Sequence, residues 1–276
     1  MESNCKGKNI IIIGATGGLG SEFARAFAGR DAKLLLAGRN EEKLKQVRNE
    51  TGGKADIAVV DITKEDSLYH LAEHVRKWTD RVDVVVNVSG YDVRKSLKDH
   101  SCEEIKHSLD VNLYGAILIT KIMMPYMRDK KGSMIVHIGG FADGRMAFPY
   151  YTADVASRAG LFSFIESMNR ELYTEGIKTR VAYFCPSPAD TDAERPYHPL
   201  WRKMGIRILP TGKVSEALIK LIEKNKTTGI MGGFLTVIFA RLNSVLPGLA
   251  DIVVMKSYGR MLRRFLYNTG READKV

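Results

Sequence analysis

The fold is decided by residues 9–28, which read NIIIIGATGGLGSEFARAFA. The first five residues are mostly isoleucine and predict a buried strand, and the last eight have the 3.6-residue periodicity of a helix. Gly14, Gly18 and Gly20 lie between them, where the turn is tight and the helix packs against the strand. The helix therefore begins with unpaired backbone N–H groups, an arrangement that favours the binding of phosphate.

Apolar runs alternate with helix-length segments along the rest of the chain. The runs predict buried strands at Asn9–Ile13, Lys33–Ala37, Asp56–Val60, Val82–Val86, Met134–Ile138 and Arg180–Phe184. The periodic segments predict helices at Ser21–Ala28, Asn40–Glu50, Ser67–Trp78, Ile105–Met127 and Thr152–Tyr173. Because parallel strands need crossover connections, this alternation predicts an α/β fold with a Rossmann-type, doubly wound parallel sheet.

Length and composition fit one globular domain. The chain has 276 residues, of which 45% are hydrophobic and 27% are charged, and this length is sufficient for a single large core. We expect one domain over residues 1–276. Within it, residues 193–276 are expected to form a substrate-side loop and a basic, apolar C-terminal extension.

The net charge of +10 indicates either an anionic partner or a solvated basic surface. No basic and aromatic stripe is present, so we expect no nucleic-acid partner. The C-terminal extension is interrupted too often to span a membrane, by Arg241, Pro247, Asp251 and Lys256. With its cluster of Arg260, Arg263 and Arg264, it suits either peripheral contact with an anionic membrane or an oligomer contact.

The termini and cysteines indicate a cytoplasmic protein. Residues 1–8 are polar and lack the apolar centre of a secretory signal. Cys5, Cys102 and Cys185 are odd in number and lack the spacing of a zinc or redox motif. We therefore expect a reducing compartment and no metal site.

The GxxxGxG spacing at residues 14–20, between a strand and a helix, resembles that of the short-chain dehydrogenase/reductase family. Further landmarks follow in the family's order, namely Asp61-Ile62, Asn87-Val88-Ser89-Gly90, Asn112, and Pro186 with Thr191. The resemblance covers roughly residues 8 to 195. The family's usual Asn-Ala-Gly and Pro-Gly are Asn-Val-Ser-Gly and Pro-Ser here.

This resemblance implies a nicotinamide dinucleotide cofactor. The expected contacts are Gly14, Thr16, Gly18, Leu19 and Gly20 at the pyrophosphate turn, Asp61 and Ile62 beside the adenine, and Asn87 and Gly90 near the ribose. They also include Arg158, in the place of the lysine that binds the cofactor ribose, Pro186 after the sixth strand, and Thr191 near the nicotinamide. Arg39 follows the second strand, where an NAD-preferring enzyme usually has an acid. Because a guanidinium pairs with a 2′-phosphate, we expect NADP(H) rather than NAD(H).

The resemblance also implies catalytic positions, and their residue types differ from those of the family. Family members have a serine after the fifth strand and a tyrosine followed four residues later by lysine. Residues 138–141 here read Ile-Gly-Gly-Phe and offer no hydroxyl, while Asp154 and Arg158 occupy the tyrosine and lysine places. We expect these two residues, four apart on a helix, to form an ion pair.

Tyr151 is a second candidate for the catalytic proton donor. It precedes Arg158 by seven residues, as in enoyl-thioester reductases, which use tyrosine, six residues and lysine. The alternative is that Tyr150 and Tyr151 are packing aromatics. Asn112 completes the set of catalytic candidates.

Two functions follow from this set. The first is an NADP(H)-dependent oxidoreductase that acts on a ketone, an alcohol or an enone through atypical residues; residues 185–192 resemble reductases of long-chain keto-lipids. The alternative is a non-catalytic NADP(H)-binding sensor or scaffold. In either case the resemblance implies a homo-dimer or tetramer, and the first function requires a small-molecule substrate.

Overall fold

All the predicted strands are present in the computed structural model, which describes residues 5–142 and 144–273. The strands are β1 (Asn9–Ile13), β2 (Lys33–Gly38), β3 (Asp56–Val59), β4 (Val84–Asn87), β5 (Met134–Ile138), β6 (Arg180–Cys185) and β7 (Thr228–Ile230). They form one parallel sheet in the order β3-β2-β1-β4-β5-β6-β7. The predicted single α/β domain with a doubly wound parallel sheet is confirmed.

Helices connect these strands and continue beyond the sheet. They are α1 (Gly18–Ala28), α2 (Glu41–Glu50), α3 (Glu65–Trp78), α4 (Cys102–Leu109), α5 (Gly115–Met123), α6 (Thr152–Thr174), α7 (His198–Lys203), α8 (Thr211–Glu223), α9 (Gly233–Val245), α10 (Pro247–Val254) and α11 (Arg260–Ala273). Within the described part of the chain, no helix is both long and apolar enough to cross a bilayer.

Both faces of the sheet are buried, and this explains why its strands read as continuous apolar runs. Ile11 and Ile13 of β1 pack into a core formed with α3, α5 and α6. Ile10 and Ile12 point the other way, into a core formed with α1, α2 and α8. Because β1 pairs with both β2 and β4, the chain order reverses there, and the strands' carboxyl ends open into a crevice.

The long helix predicted over Ile105–Met127 is divided in the structure. It starts earlier, at Cys102, because the Ser101 side chain caps the Glu104 N–H while the Glu104 carboxylate accepts from the Ser101 N–H. Residues 110–114 then form a π-helical turn before α5. At the end of that turn a Cβ on Gly115 would lie 3.0 Å from the Ile62 carbonyl oxygen, so the chain passes close to the β3–α3 loop.

Candidate active site

The glycine turn joins β1 to α1 as the sequence predicted. Gly14 has φ +81°, a conformation that side chains other than glycine rarely adopt. Helix α1 begins at Gly18 with Gly17 as its N-cap, and no side chain caps its N–H groups and no acid lies in its first turn. This helix end therefore offers free donors and a positive dipole end to an anion.

Close packing explains the other two glycines. A Cβ on Gly20 would lie 2.1 Å from the Gly14 carbonyl oxygen, so α1 packs directly on the turn. A Cβ on Gly18 would lie 2.7 Å from Cγ2 of Thr191. The loop after β6 thus lies against the glycine turn, and the structure brings Thr191 and Gly18 together.

Arg39 and Asp61 lie at the opposite end of the crevice from Thr191, after β2 and β3. Arg39 is exposed, and its charge acts on Asp61. Burial raises the pKa of the Asp61 carboxyl, but hydrogen bonds from Thr63 and the charges of Lys64 and Arg39 outweigh this effect and lower the pKa. Ile62 is buried beside them, and Thr16 lies near Gly38 at the end of β2.

Asn87 at the end of β4 is held in a buried polar chain. Its Oδ1 accepts from the Ser89 N–H at 3.1 Å, and its Nδ2 lies 3.2 Å from Nδ1 of His137. The other ring nitrogen of His137 lies 2.8 Å from the Thr120 hydroxyl. Burial lowers the pKa of His137 to about 3, so the ring is neutral and acts as a structural hydrogen-bonding group.

Asn112, Asp154 and Arg158 form one buried network. Asp154 Oδ1 accepts from Asn112 Nδ2 at 3.0 Å and from Arg158 Nε at 3.1 Å. Asn112 also accepts from the Tyr91 N–H at 2.9 Å and donates to the Tyr91 carbonyl at 2.7 Å. All three residues of the network are buried, at most 8% exposed, so the structure brings these candidates together in a fixed arrangement.

Arg158 makes two further contacts that fix its guanidinium. It donates through Nη1 to the Ile138 carbonyl at 2.9 Å, at the end of β5. A Cβ on Gly90 would lie 3.1 Å from its Nη2, so Gly90 packs against the guanidinium. Burial lowers the pKa of Arg158, but the Asp154 carboxylate outweighs burial and raises it, so the group remains a cation.

Tyr183 on β6 supports the wall of the site from behind, and sequence reasoning missed it. Its hydroxyl donates to the Gly140 carbonyl at 2.5 Å and accepts from the Gly140 N–H at 2.8 Å. A Cβ on Gly139 would lie 1.9 Å from the Tyr183 ring, so the phenol fills the space beside the two glycines. Burial raises the pKa of Tyr183. No sequence signal identified it, because a tyrosine in an apolar run also fits the core.

A buried charge cluster around Arg94 was also missed. Arg94 donates to both carboxylate oxygens of Glu194, at 3.0 and 2.9 Å, and forms an ion pair with Asp92. Trp201 Nε1 donates to Glu194 at 2.7 Å. Burial raises the pKa of Asp92. The cluster joins the loop after β4 to the loop after β6, and its residues are too far apart in the chain for a motif search.

Tyr151 lies beside this cluster. Its ring packs edge-on against Phe141 at 5.3 Å, and the Arg94 guanidinium lies 5.7 Å from the ring centre. Its side chain is buried, yet its hydroxyl has no hydrogen-bond partner among the residues that the structure describes. Burial raises the pKa of Tyr151, while Arg94 opposes this rise. The cation that the structure brings to Tyr151 is therefore Arg94, whereas Arg158 pairs with Asp154.

Tyr151, Asp154, Arg158 and the charge cluster around Arg94 line one cavity of about 930 Å³ beyond the carboxyl ends of β5, β6 and β7. Of the residues predicted from the sequence, its lining includes Leu19, Tyr151, Asp154, Arg158, Pro186 and Thr191. Helices α9, α10 and α11 contribute a mainly apolar wall that includes Phe239, Leu242 and Leu262. A few polar groups facing a large apolar wall are typical of a ligand site.

Comparison with known proteins identifies the family. The model of the short chain dehydrogenase family matches residues 8–199, more than half of the chain. This chain belongs to the short chain dehydrogenase family. The resemblance seen in the sequence is thereby confirmed. Members of this oxidoreductase family act on small-molecule substrates and are often oligomeric.

Two relatives and one solved structure characterise the similarity. The chain is 28% identical over 235 residues to the ketoacyl reductase HetN of Nostoc sp., a match that covers 82% of this chain and 78% of that one. It is 27% identical over 185 residues to a fatty acyl-CoA reductase of Acinetobacter baylyi, covering 65% and 62%. A short chain dehydrogenase from Burkholderia cenocepacia in complex with NADP shares the fold, with a TM-score of 0.74, 20% identity and coverage of 91% and 98%.

Proposed function

We propose that this short chain dehydrogenase is an NADP(H)-dependent oxidoreductase that acts on a lipid-like ketone, alcohol or enone. The observation that carries the proposal is Tyr151, a residue of the cavity wall whose buried hydroxyl has no hydrogen-bond partner among the described residues. A substrate carbonyl oxygen is a suitable partner for such a donor. On the family resemblance we further propose a homo-dimer or tetramer, and on the number and spacing of the cysteines a cytoplasmic location.

The proposed cofactor fits the groups at the glycine turn. The uncapped start of α1 offers N–H donors to a pyrophosphate, and Gly14, Gly18 and Gly20 keep side chains out of the turn. Arg39 would face the 2′-phosphate and favour NADP(H) over NAD(H). The Burkholderia structure, which holds NADP in the same fold, supports this choice.

Substitution at Gly20 is expected to weaken binding of NADPH at least about tenfold, since hydrogen bonds to a charged group contribute about 1.5–3 kcal/mol each. A Cβ at this position collides with the Gly14 carbonyl, so Gly20→Ala displaces the N–H donors of the turn. Gly17→Ala is the matched control, because its Cβ would lie 3.6 Å from that oxygen. Fluorescence titration with NADPH measures the affinity of both variants. Equal affinities would contradict the proposed pyrophosphate site at the glycine turn.

Substitution at Arg39 is expected to reverse the cofactor preference. Arg39→Asp removes the partner of the 2′-phosphate and adds a carboxylate that accepts from a ribose 2′-hydroxyl. NADPH affinity should fall about 10- to 100-fold, the equivalent of one charge-assisted interaction, while NADH affinity rises or stays constant. Arg48→Asp, a substitution of the same type on α2, serves as the control for charge alone. An unchanged NADPH to NADH ratio in the Arg39 variant would remove the basis for the NADP(H) preference.

The cavity supports a lipid-like substrate. Residues 194–262 supply much of its wall, in agreement with our proposal that residues 193–276 form the substrate side of the domain. The names of the Nostoc ketoacyl reductase and the Acinetobacter fatty acyl-CoA reductase suggest carbonyl groups on acyl chains. We therefore propose a 3-oxoacyl compound or a related long-chain carbonyl as the substrate class.

The proposed chemistry uses residues that differ from the family's serine, tyrosine and lysine. Bound NADPH would supply the hydride, and the Tyr151 hydroxyl would donate its proton to the carbonyl oxygen of the substrate. Arg94, whose guanidinium lies 5.7 Å from the ring centre, would stabilise the resulting phenolate until solvent returns a proton, while Asp92 and Glu194 oppose this effect. Arg158 and Asn112 hold Asp154 in place, and Asp154 and Arg158 line the cavity where we place the nicotinamide.

The network around Asp154 also favours a second candidate, a non-catalytic NADP(H)-binding sensor or scaffold. Asp154 Oδ1 already accepts from both Arg158 and Asn112, so this oxygen is engaged in the buried network. Under this reading Tyr151 is a packing aromatic. The two candidates share the cofactor and differ only in turnover.

One experiment separates them. Purified protein is titrated with NADPH and NADH by fluorescence and then incubated with NADPH and a panel of ketones, enones and 3-oxoacyl thioesters of increasing chain length. NADPH binding followed by its oxidation, faster for longer chains, supports the oxidoreductase. Binding without oxidation across the panel supports the sensor or scaffold, and absence of nucleotide binding contradicts both.

A further inference from the structure

Large apolar side chains are exposed on the outer side of α9 and α10. We call this set the C-terminal apolar surface, and its members are between 43% and 75% exposed: Ile238, Val245, Leu246, Leu249, Ile252, Val253 and Met255. Soluble chains expose such residues singly, whereas a contiguous group marks a contact with a partner or a membrane. All seven lie within eighteen consecutive residues of the chain.

Helix α10 is apolar on both sides. Ala250 and Val254 face inward and are buried, while Leu249 and Ile252 face outward and are at least half exposed. A helix that is hydrophobic all round is normally surrounded by apolar material. The described part of the chain covers only the inner side of α10. The exposed outer side is therefore expected to contact apolar material outside this chain.

The charged groups beside this surface are all basic except one. Exposed cations flank it before, between and after the apolar residues, at Arg241, Lys256, Arg260, Arg263 and Arg264, and the one acid between residues 233 and 266 is Asp251. In α11 the buried Leu262 packs inward while Arg263 and Arg264 point outward. An apolar surface bordered by cations complements the surface of an anionic bilayer.

The cavity reaches the protein surface at the same place. Ile238 on α9 and Val253 on α10 are 46% and 43% exposed, and both also line the cavity. Phe239 and Leu242, on the inner side of α9, continue the apolar lining inward. One residue of α9 and one of α10 therefore belong both to the C-terminal apolar surface and to the cavity wall.

We propose that the C-terminal apolar surface lies on an anionic phospholipid bilayer and that the cavity mouth between α9 and α10 receives an apolar substrate directly from it. The helices lie in the interface and do not span the bilayer, in keeping with their lengths and interruptions. The docking stands independently of catalysis, and only the entry of substrate rests on the proposed oxidoreductase function. The mouth would pass a lipid chain to the cavity without exposing it to water.

Vesicle sedimentation tests the docking. Full-length protein is mixed with vesicles of phosphatidylcholine alone or with one third phosphatidylserine, at low and high salt. We expect binding to the anionic vesicles, weakened by salt because surface charges are screened. Leu249→Glu/Ile252→Glu should lower the partition coefficient at least tenfold, whereas Tyr173→Glu, at an exposed aromatic residue on α6, should not change it.

Other outcomes overturn the proposal. Equal sedimentation of the native protein and the double variant would show that the C-terminal apolar surface does not contact lipid, and no sedimentation of native protein would exclude the docking. If the double variant does not fold, Val245→Glu tests the same surface at its most exposed residue. Dissociation of an oligomer by these variants, without vesicle binding by native protein, would assign the surface to a second copy of the chain. None of these readouts requires turnover, so the docking and the proposed oxidoreductase function fail separately.

Discussion

Replacing Asp154 by alanine is expected to lower the free energy of unfolding by about 3–5 kcal/mol, the usual effect of leaving one buried charge without its partner. Arg158 is only 8% exposed and would keep its charge while losing the carboxylate. Asn112 would lose an acceptor at the same time. Urea unfolding followed by circular dichroism measures the change.

Two variants control this prediction. Asp154→Leu/Arg158→Met removes both charges and should recover most of the stability, because no unpaired buried ion is left. Asp192→Ala removes a carboxylate from the exposed Asp192–Arg195 pair and should leave the unfolding midpoint nearly unchanged. If Asp154→Ala lowers the free energy of unfolding no more than Asp192→Ala does, the buried network does not stabilise the fold.

Tyr151→Phe is expected to reduce turnover about 100- to 10,000-fold, the range for loss of a general acid. The same variant should be as stable as the native protein or slightly more stable. The reason is that the hydroxyl is buried with no hydrogen-bond partner among the described residues, so its removal relieves a desolvation cost. Steady-state NADPH oxidation and thermal unfolding are measured on the same preparation.

Tyr150→Phe is the matched control for this variant. Tyr150 directly precedes Tyr151 and is partly buried in the same apolar cluster, but it is not among the residues that line the cavity. Loss of the Tyr150 hydroxyl should change kcat by less than about threefold, because a packing change of this size has little effect on stability and Tyr150 does not line the cavity. Equal effects of the two variants on kcat would mean that Tyr151 acts through packing and is not the proton donor.

Most of the sheet was predictable because its parallel strands are buried on both faces, read as apolar runs, and are bounded by turn residues. β1 was placed at its observed bounds, and β6 ends one residue later than predicted. β4 was predicted to begin at Val82 and begins at Val84, because Val82 instead bridges to Met127. β7, Thr228–Ile230, was missed since three half-exposed residues with a central glycine give no apolar run.

The candidate site was predictable only where neighbours in sequence are neighbours in space. Asp154 and Arg158 lie one helical turn apart, and their ion pair follows from that spacing. The pairing of Arg94 with Glu194 joins two loops a hundred residues apart, and Tyr183 reaches the site from an adjacent strand. Contacts of this kind depend on the order of strands in the sheet, so a pattern within one segment cannot reveal them.

The most direct measurement is the transfer of deuterium from NADPH labelled at C4 of the nicotinamide to a long-chain 3-oxoacyl thioester, followed by mass spectrometry of the product. Both C4-labelled stereoisomers are used, with native protein and Tyr151→Phe. We expect one deuterium in the hydroxyacyl product from one isomer with native protein, and at most one hundredth of that rate with Tyr151→Phe. If NADPH binds but the substrate is recovered unreduced and without deuterium, the oxidoreductase function is contradicted. The NADP(H)-binding sensor or scaffold would then be the function of this chain.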